Sequence, residues 1–188
     1  MAFPRRTHCW SNVIAWVAAC LGWWAVAGQA GYAEEFRLES IGARGGIPGN
    51  HSSRYFNQAE LFADWNLPWD WDVGKEWHVQ SRLEFSAGWL GDFGNDAGIW
   101  TLGLLLVLGR ERLPVSLAGG ISPTILSRTV FGSKDFGINL QFTTHIGVNI
   151  DFARHWRLTY QYQHMSDAHL SEKNPALNMN LFGLCYVF

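Results

Sequence analysis

Two stretches of the chain alternate between apolar and polar side chains with a period of two. Over residues 76–89, Trp77, Val79, Leu83, Phe85, Ala87 and Trp89 form an apolar set broken only by Ser81, and Glu76, His78, Gln80, Arg82, Glu84 and Ser86 form the intervening polar set. Over residues 137–150, Ile138, Leu140, Phe142, Ile146, Val148 and Ile150 run against Asn139, Gln141, Thr143, His145 and Asn149. Successive side chains of a strand point to opposite faces, so each stretch predicts a strand with one oily and one strongly polar face. In a water-soluble sheet the oily face would turn toward a shared core. Length argues for lipid instead, because these strands exceed the ~9–11 residues of a tilted membrane strand, whereas soluble strands run ~5–6. Trp77 and Trp89 also cap both ends of one oily face, as interfacial aromatic girdles do.

Extending the pattern predicts strands over 35–43, 54–66, 76–90, 97–109, 113–122, 136–150, 155–167 and 177–188. Eight is an even number, which lets a sheet close without edges. The expected fold is therefore all-β, an eight-stranded antiparallel transmembrane β-barrel. The fourth strand is apolar on both faces around 100–108, so its orientation stays open, and the fifth is short and glycine-rich. With the amino end on the periplasmic side, turns fall at 66–75, 109–112 and 151–154. Outer loops then fall at 45–53, 91–96, 123–135 and 168–176.

The first 33 residues read as an export signal. Arg5 and Arg6 give a charged start, residues 13–27 are apolar without a charge, and small residues frame a cut after Ala27, Ala30 or Ala33. Ala33 is favoured, with Glu34 and Glu35 following. The expected organisation is a signal peptide over 1–33, removed, and an outer-membrane barrel domain over 34–188, in a Gram-negative bacterium. The apolar run is shorter than the ~20 residues of a membrane-spanning helix. Removing the signal shifts the formal charge from −2 to −4 and leaves no basic stripe to meet phosphates, so nucleic acid is not an expected partner. It also removes Cys9 and Cys20, leaving Cys185 unable to form an internal disulfide.

On the seventh strand Trp156, Leu158, Tyr160, Tyr162, His164 and Ser166 share the oily face, and Arg157, Thr159, Gln161 and Gln163 share the other. Residues two apart stand roughly 7 Å from one another, within reach for an imidazole and a hydroxyl. A serine beside a histidine is the minimal acyl-transfer pair. The strand's end is placed by the outer leaflet, where lipopolysaccharide carries ester-linked acyl chains. The blander reading of a lone His-x-Ser is a solvated strand end. His51, His78, His145, His155 and His169 have no metal-site spacing, and neither a metal nor a cofactor is implied. Arg82, Glu84, Glu60 and Arg54 read as an interior polar network, and Cys185 as a packed inner-face thiol.

The final residues, with Phe188, Tyr186 and Gly183, resemble the carboxy-terminal assembly signal of outer-membrane barrels, although Leu181 stands where a polar residue is usual. His164-Met165-Ser166-Asp167-Ala168, followed by Asn174-Pro175-Ala176-Leu177-Asn178, resembles the active-site stretch of the outer-membrane lipid A deacylases of the PagL type, over about the last 30 residues. The resemblance implies hydrolysis of the 3-linked acyl chain of lipid A, with Ser166 as nucleophile and His164 as general base. It puts Asn178 at the position of the orienting acid, twelve residues after the serine, and Asn174 at an oxyanion-binding position. Asp167 stands where the family usually has Asn. An asparagine oxygen can hold the His164 tautomer but cannot balance an imidazolium, so Asp167 or Glu172 are candidate replacement acids. The implied partners are lipid A or lipopolysaccharide and outer-membrane lipids, and a homodimer stays open. Two competing readings are a noncatalytic barrel acting in membrane integrity, adhesion or partner binding, and a soluble barrel with inward oily faces that holds a hydrophobic ligand.

Overall fold

The computed structural model describes residues 36–132 and 134–188; the expected export signal and its cut lie outside them. In chain order the strands are β1 (Arg37–Pro48), β2 (Phe56–Val73), β3 (Trp77–Asp92), β4 (Asn95–Arg110), β5 (Val115–Leu126), the two-residue β6 (Val130–Phe131) and β7 (Lys134–Asp135), then β8 (Leu140–Ala153), β9 (Trp156–Ser166) and β10 (Leu177–Val187). Eight of them close in the order β1-β10-β9-β8-β5-β4-β3-β2, with antiparallel pairing throughout. β6 and β7 form a small separate hairpin inside the β5–β8 connection.

Side chains are sorted inside out relative to a water-soluble protein. Leu61, Phe85, Leu102, Leu104, Leu106, Leu117, Ile121, Ile146, Leu158 and Phe182 are exposed on the outer wall, while Arg44, Glu60, Arg82, Glu84, Gln161 and Gln163 are buried within. Only a hydrocarbon surrounding makes that arrangement favourable, and it excludes the soluble barrel with inward oily faces. Trp71, Trp77 and Trp156 mark one end of the oily band and Trp89 and Trp100 the other. Short turns join the strands at the first end. Three of the four connections at the second are longer, which makes it the outer end by the asymmetry of transmembrane barrels; the fourth, expected as a loop over 91–96, is a two-residue turn between Asp92 and Asn95.

Several strands exceed their predicted limits. β1 continues to Pro48 and β2 to Val73, so part of the expected 45–53 loop and most of the expected 66–75 turn are sheet. The β2–β3 register shifts between Asn66 and Asp70, around Leu67-Pro68-Trp69, so the proline sits in an irregularity of the strand rather than ending it. That irregularity also accounts for Ser81, the one polar residue in the apolar set of β3, whose hydroxyl donates to the Trp69 carbonyl at 2.6 Å. β5 likewise passes through Pro123, which pairs with Phe142 on one side and leaves a gap in the β4 ladder between Thr101/Thr124 and Leu104/Ile121. β4, ambiguous in sequence, turns Ala97, Ile99, Leu105 and Val107 inward.

The lumen has two layers. At mid-height Arg44 forks onto Glu84, at 2.8 and 2.9 Å, bonds Gln161 at 3.1 Å and pairs with Glu60. Nearer the short-turn end Glu39 joins Asn66, Arg82 and Arg157. Arg54, expected in this network, lies outside it: it is exposed in the β1–β2 loop, 3.0 Å from His51 and stacked over Tyr55, because β1 runs further and brings Arg44 inward instead. Above the charged layer is an apolar cap of Phe56, Leu90, Ile99, Leu126, Phe131, Phe136, Met165 and Met179, all buried. Phe131 and Phe136 come from the β6–β7 excursion, which folds over the barrel mouth.

Candidate active site

β9 and β10 form the last hairpin, and their register sets His164 directly opposite Asn178. Direct cross-strand partners share a face, here the outward one, since the flanking Gln163, Met165, Leu177 and Met179 are buried within. The ring Nδ1 of His164 lies 2.7 Å from Asn178 Oδ1. An amide oxygen only accepts, so Nδ1 carries the proton, which in the neutral ring leaves the lone pair on Nε2. Ser166 is two residues further out on the same face, half-buried like His164. On the other side of β9, Thr144 stands opposite His164 and Phe142 opposite Ser166.

Asn178 is fixed at its backbone as well. Its N–H donates to Ser53 Oγ at 3.1 Å and its carbonyl accepts from the Gly49 N–H at 2.8 Å. Ser53 is fully buried in a one-turn helix, His51–Ser53, capped by the Asn50 side chain. The sequence offers no signal for Ser53, which precedes Asn178 by 125 positions. Asn180, next on the outward face of β10, accepts from the Tyr160 hydroxyl at 2.9 Å and donates to the Pro48 carbonyl at 3.2 Å.

The loop between the strands is organised by Asp167, which is fully buried. Its oxygens accept from the N–H groups of His169 and Ser171, each at 2.9 Å, and from the Ser171 hydroxyl at 2.5 Å. Those bonds stabilise a turn in which Ala168 and His169 adopt positive φ of 54° and 63°, a conformation that non-glycine residues adopt only at a cost. The Asp167 N–H donates to Asn174 Oδ1 at 3.0 Å, tying Asn174 back to the residue that follows Ser166. Glu172 is exposed. Thus His164 and Asn178 are in direct contact, Ser166 shares their wall, Asn174 and Asp167 are joined to each other, and the polar atom next to His164 Nδ1 is an amide rather than a carboxylate.

The β5–β8 excursion leans on the same loop. Asp135 accepts from Lys173 at 2.5 Å and from the Gly137 N–H at 2.9 Å, contacts that hold its carboxyl below the usual carboxylate range and raise the Lys173 ammonium in turn. Among the described residues no cluster of three or more His, Cys, Asp or Glu is placed to hold a metal ion.

The same chain resembles known proteins in sequence and in fold. Residues 57–186 match the family model described as Lipid A 3-O-deacylase (PagL). The lipid A deacylase PagL of Bordetella bronchiseptica is 33% identical over 72 residues, which span 38% of this chain and 40% of that protein, so the aligned part is well under two thirds of the relative's length. Among solved structures, the outer membrane enzyme PagL superposes with a TM-score of 0.67 at 17% identity, covering 78% of this chain and 97% of that one. Neisserial surface protein A superposes with a TM-score of 0.50 at 12% identity, covering 84% and 100%. At such identities the superpositions speak to fold alone.

Proposed function

This chain belongs to the lipid A 3-O-deacylase (PagL) family of the bacterial outer membrane, and on that premise we propose that it hydrolyses an ester-linked acyl chain of lipid A at Ser166. The observation that carries the reading is the 2.7 Å contact between His164 Nδ1 and Asn178 Oδ1 on the hydrocarbon-facing wall, with a serine two residues along the same face. A polar trio facing lipid is costly unless something uses it.

In the proposed reaction the Ser166 hydroxyl oxygen bonds to the ester carbonyl carbon as its proton passes to His164 Nε2. Collapse of the tetrahedral intermediate breaks the bond to the sugar oxygen, which leaves with that proton. Water, giving a proton to the same base, then bonds to the acyl carbon; the bond to Ser166 Oγ breaks, Oγ recovers that proton, and the fatty acid departs. Asn178 holds the base in its useful tautomer. Asn174, with Oδ1 engaged by the Asp167 N–H and Nδ2 lying 3.4 Å from His169 Nδ1, has a second Nδ2 hydrogen to offer the oxyanion. The negative charge of Asp167, a liability beside an oxyanion, is absorbed by three donors of its own loop. Asp167 therefore acts as the loop's anchor rather than as a second acid.

Mass spectrometry of lipid A incubated with the purified barrel tests the proposal. The wild-type protein is expected to remove one acyl chain and Ser166→Ala to remove none. If both leave the acyl count unchanged while the fold is intact, the noncatalytic barrel is the correct reading.

A further inference from the structure

The segment that carries Asn174 and Asn178 is gripped at its midpoint. Ala176, two residues from each, has its carbonyl bonded by Lys134 Nζ at 2.7 Å. Lys134 belongs to the β6–β7 hairpin, and its ammonium also sits 5.4 Å from the Phe56 ring centroid and 5.9 Å from that of Phe136. Both rings are part of the apolar cap that fills the barrel mouth. The ammonium therefore faces rigid packed aromatics on one side and the loop on the other, with a charge-assisted hydrogen bond to the loop and cation–π attraction to the cap.

We propose that Lys134 is a positioning residue for deacylation: through the Ala176 carbonyl it references the Asn174–Asn178 segment to the core of the barrel. The inference rests on the Ser166 reading above. Two neighbouring contacts serve the same docking. Asp135 pairs with Lys173 on the solvent side. Gly137, at φ +75°, lies so close to the loop that an added Cβ would meet the Lys173 carbonyl at 2.9 Å and press on Ser171, the residue that bonds Asp167. An exposed pair such as Asp135–Lys173 contributes little by itself, whereas the Lys134 bond is half-buried. Burial pushes the Lys134 pKa down, and the charge of Asp92 works against that push.

Lys134→Met keeps an unbranched stem of four heavy atoms and removes the donor. With lipid A in detergent micelles, Lys134→Met is expected to lower kcat by about ten- to a hundredfold, the scale of loss when a reacting group is misplaced by an ångström, with KM changed less than about twofold. Lys134→Arg is expected to recover part of that loss. Gly137→Ala, which displaces the loop from another contact, is expected to lower kcat in the same way, and it keeps the inference falsifiable if Lys134→Met does not fold. Unchanged kcat in both folded variants overturns the inference. So does a rise in KM alone, which would make Lys134 a contact for the substrate's anionic groups. The Ser166→Ala control separates the two ideas. If the wild type and that control are equally silent, the deacylase reading has failed; if the wild type is active and the control silent, the Lys134 and Gly137 variants decide the positioning role.

Discussion

The His164 imidazole receives orientation from Asn178 but no charge. Its Nδ1 faces a neutral oxygen at 2.7 Å, so an imidazolium formed in the proposed acyl transfer would have no anion against it. Neutralising the acid of a serine triad costs about 10⁴ in rate where the tautomer is lost too, and here the tautomer is kept. Asn178→Glu is expected to raise kcat by roughly 10- to 10³-fold, because a carboxylate at that register position stabilises the developing cation. Asn178→Ala is expected to lower it, because the ring is released. Acyl-release rates for the two variants, measured together, check both signs. An Asn178→Glu barrel slower than wild type would mean that the amide is itself the better partner in this wall.

Elements explain what the sequence does and does not make legible. That His164 and Asn178 share the outward wall is readable in advance, since strand parity settles the face of each, whereas their direct pairing depends on the register that the 167–176 loop leaves. The strand ends at Pro48, Val73 and Leu126 are not readable, because glycines and prolines punctuate a sequence more sharply than a closed sheet, which tolerates one missing donor. Nor is the docking of the 127–139 excursion onto the 167–176 loop, which depends on non-local contacts between short polar segments. Its solvent-side contact gives a pH dependence. The Asp135 carboxyl is depressed by Lys173 and the Gly137 N–H, so its contribution is present above the unfolded value of about 4 and is lost as pH falls through the lower folded value. Lys173 is raised, so its contribution holds below about 10.4 and fades only at higher pH. Hydrogen exchange of the Gly137 amide, which donates to Asp135, is therefore expected to show constant protection between these limits, after correction for intrinsic exchange rates, and lower protection on the acid side. Asp135→Asn is expected to remove that acid-side change.

For the whole molecule, stability rests on a charged interior rather than on an oily one. Arg44 is enclosed with Glu60 and Glu84, and removing one member leaves the others without compensation. Arg44→Met is expected to destabilise the folded barrel by about 3–5 kcal/mol, and the added change Glu84→Gln to return part of it. Urea unfolding in lipid vesicles, followed by tryptophan fluorescence, measures both. The two stacked layers also decide what the cylinder can let through. Phe131 and Phe136 stopper the outer opening, and the Arg44 cluster spans the waist beneath them, so hydrated ions find no continuous watery route. Reconstituted in a planar bilayer under voltage, the protein should be electrically silent, with the proposed chemistry on the outside wall and the bore serving only as scaffold.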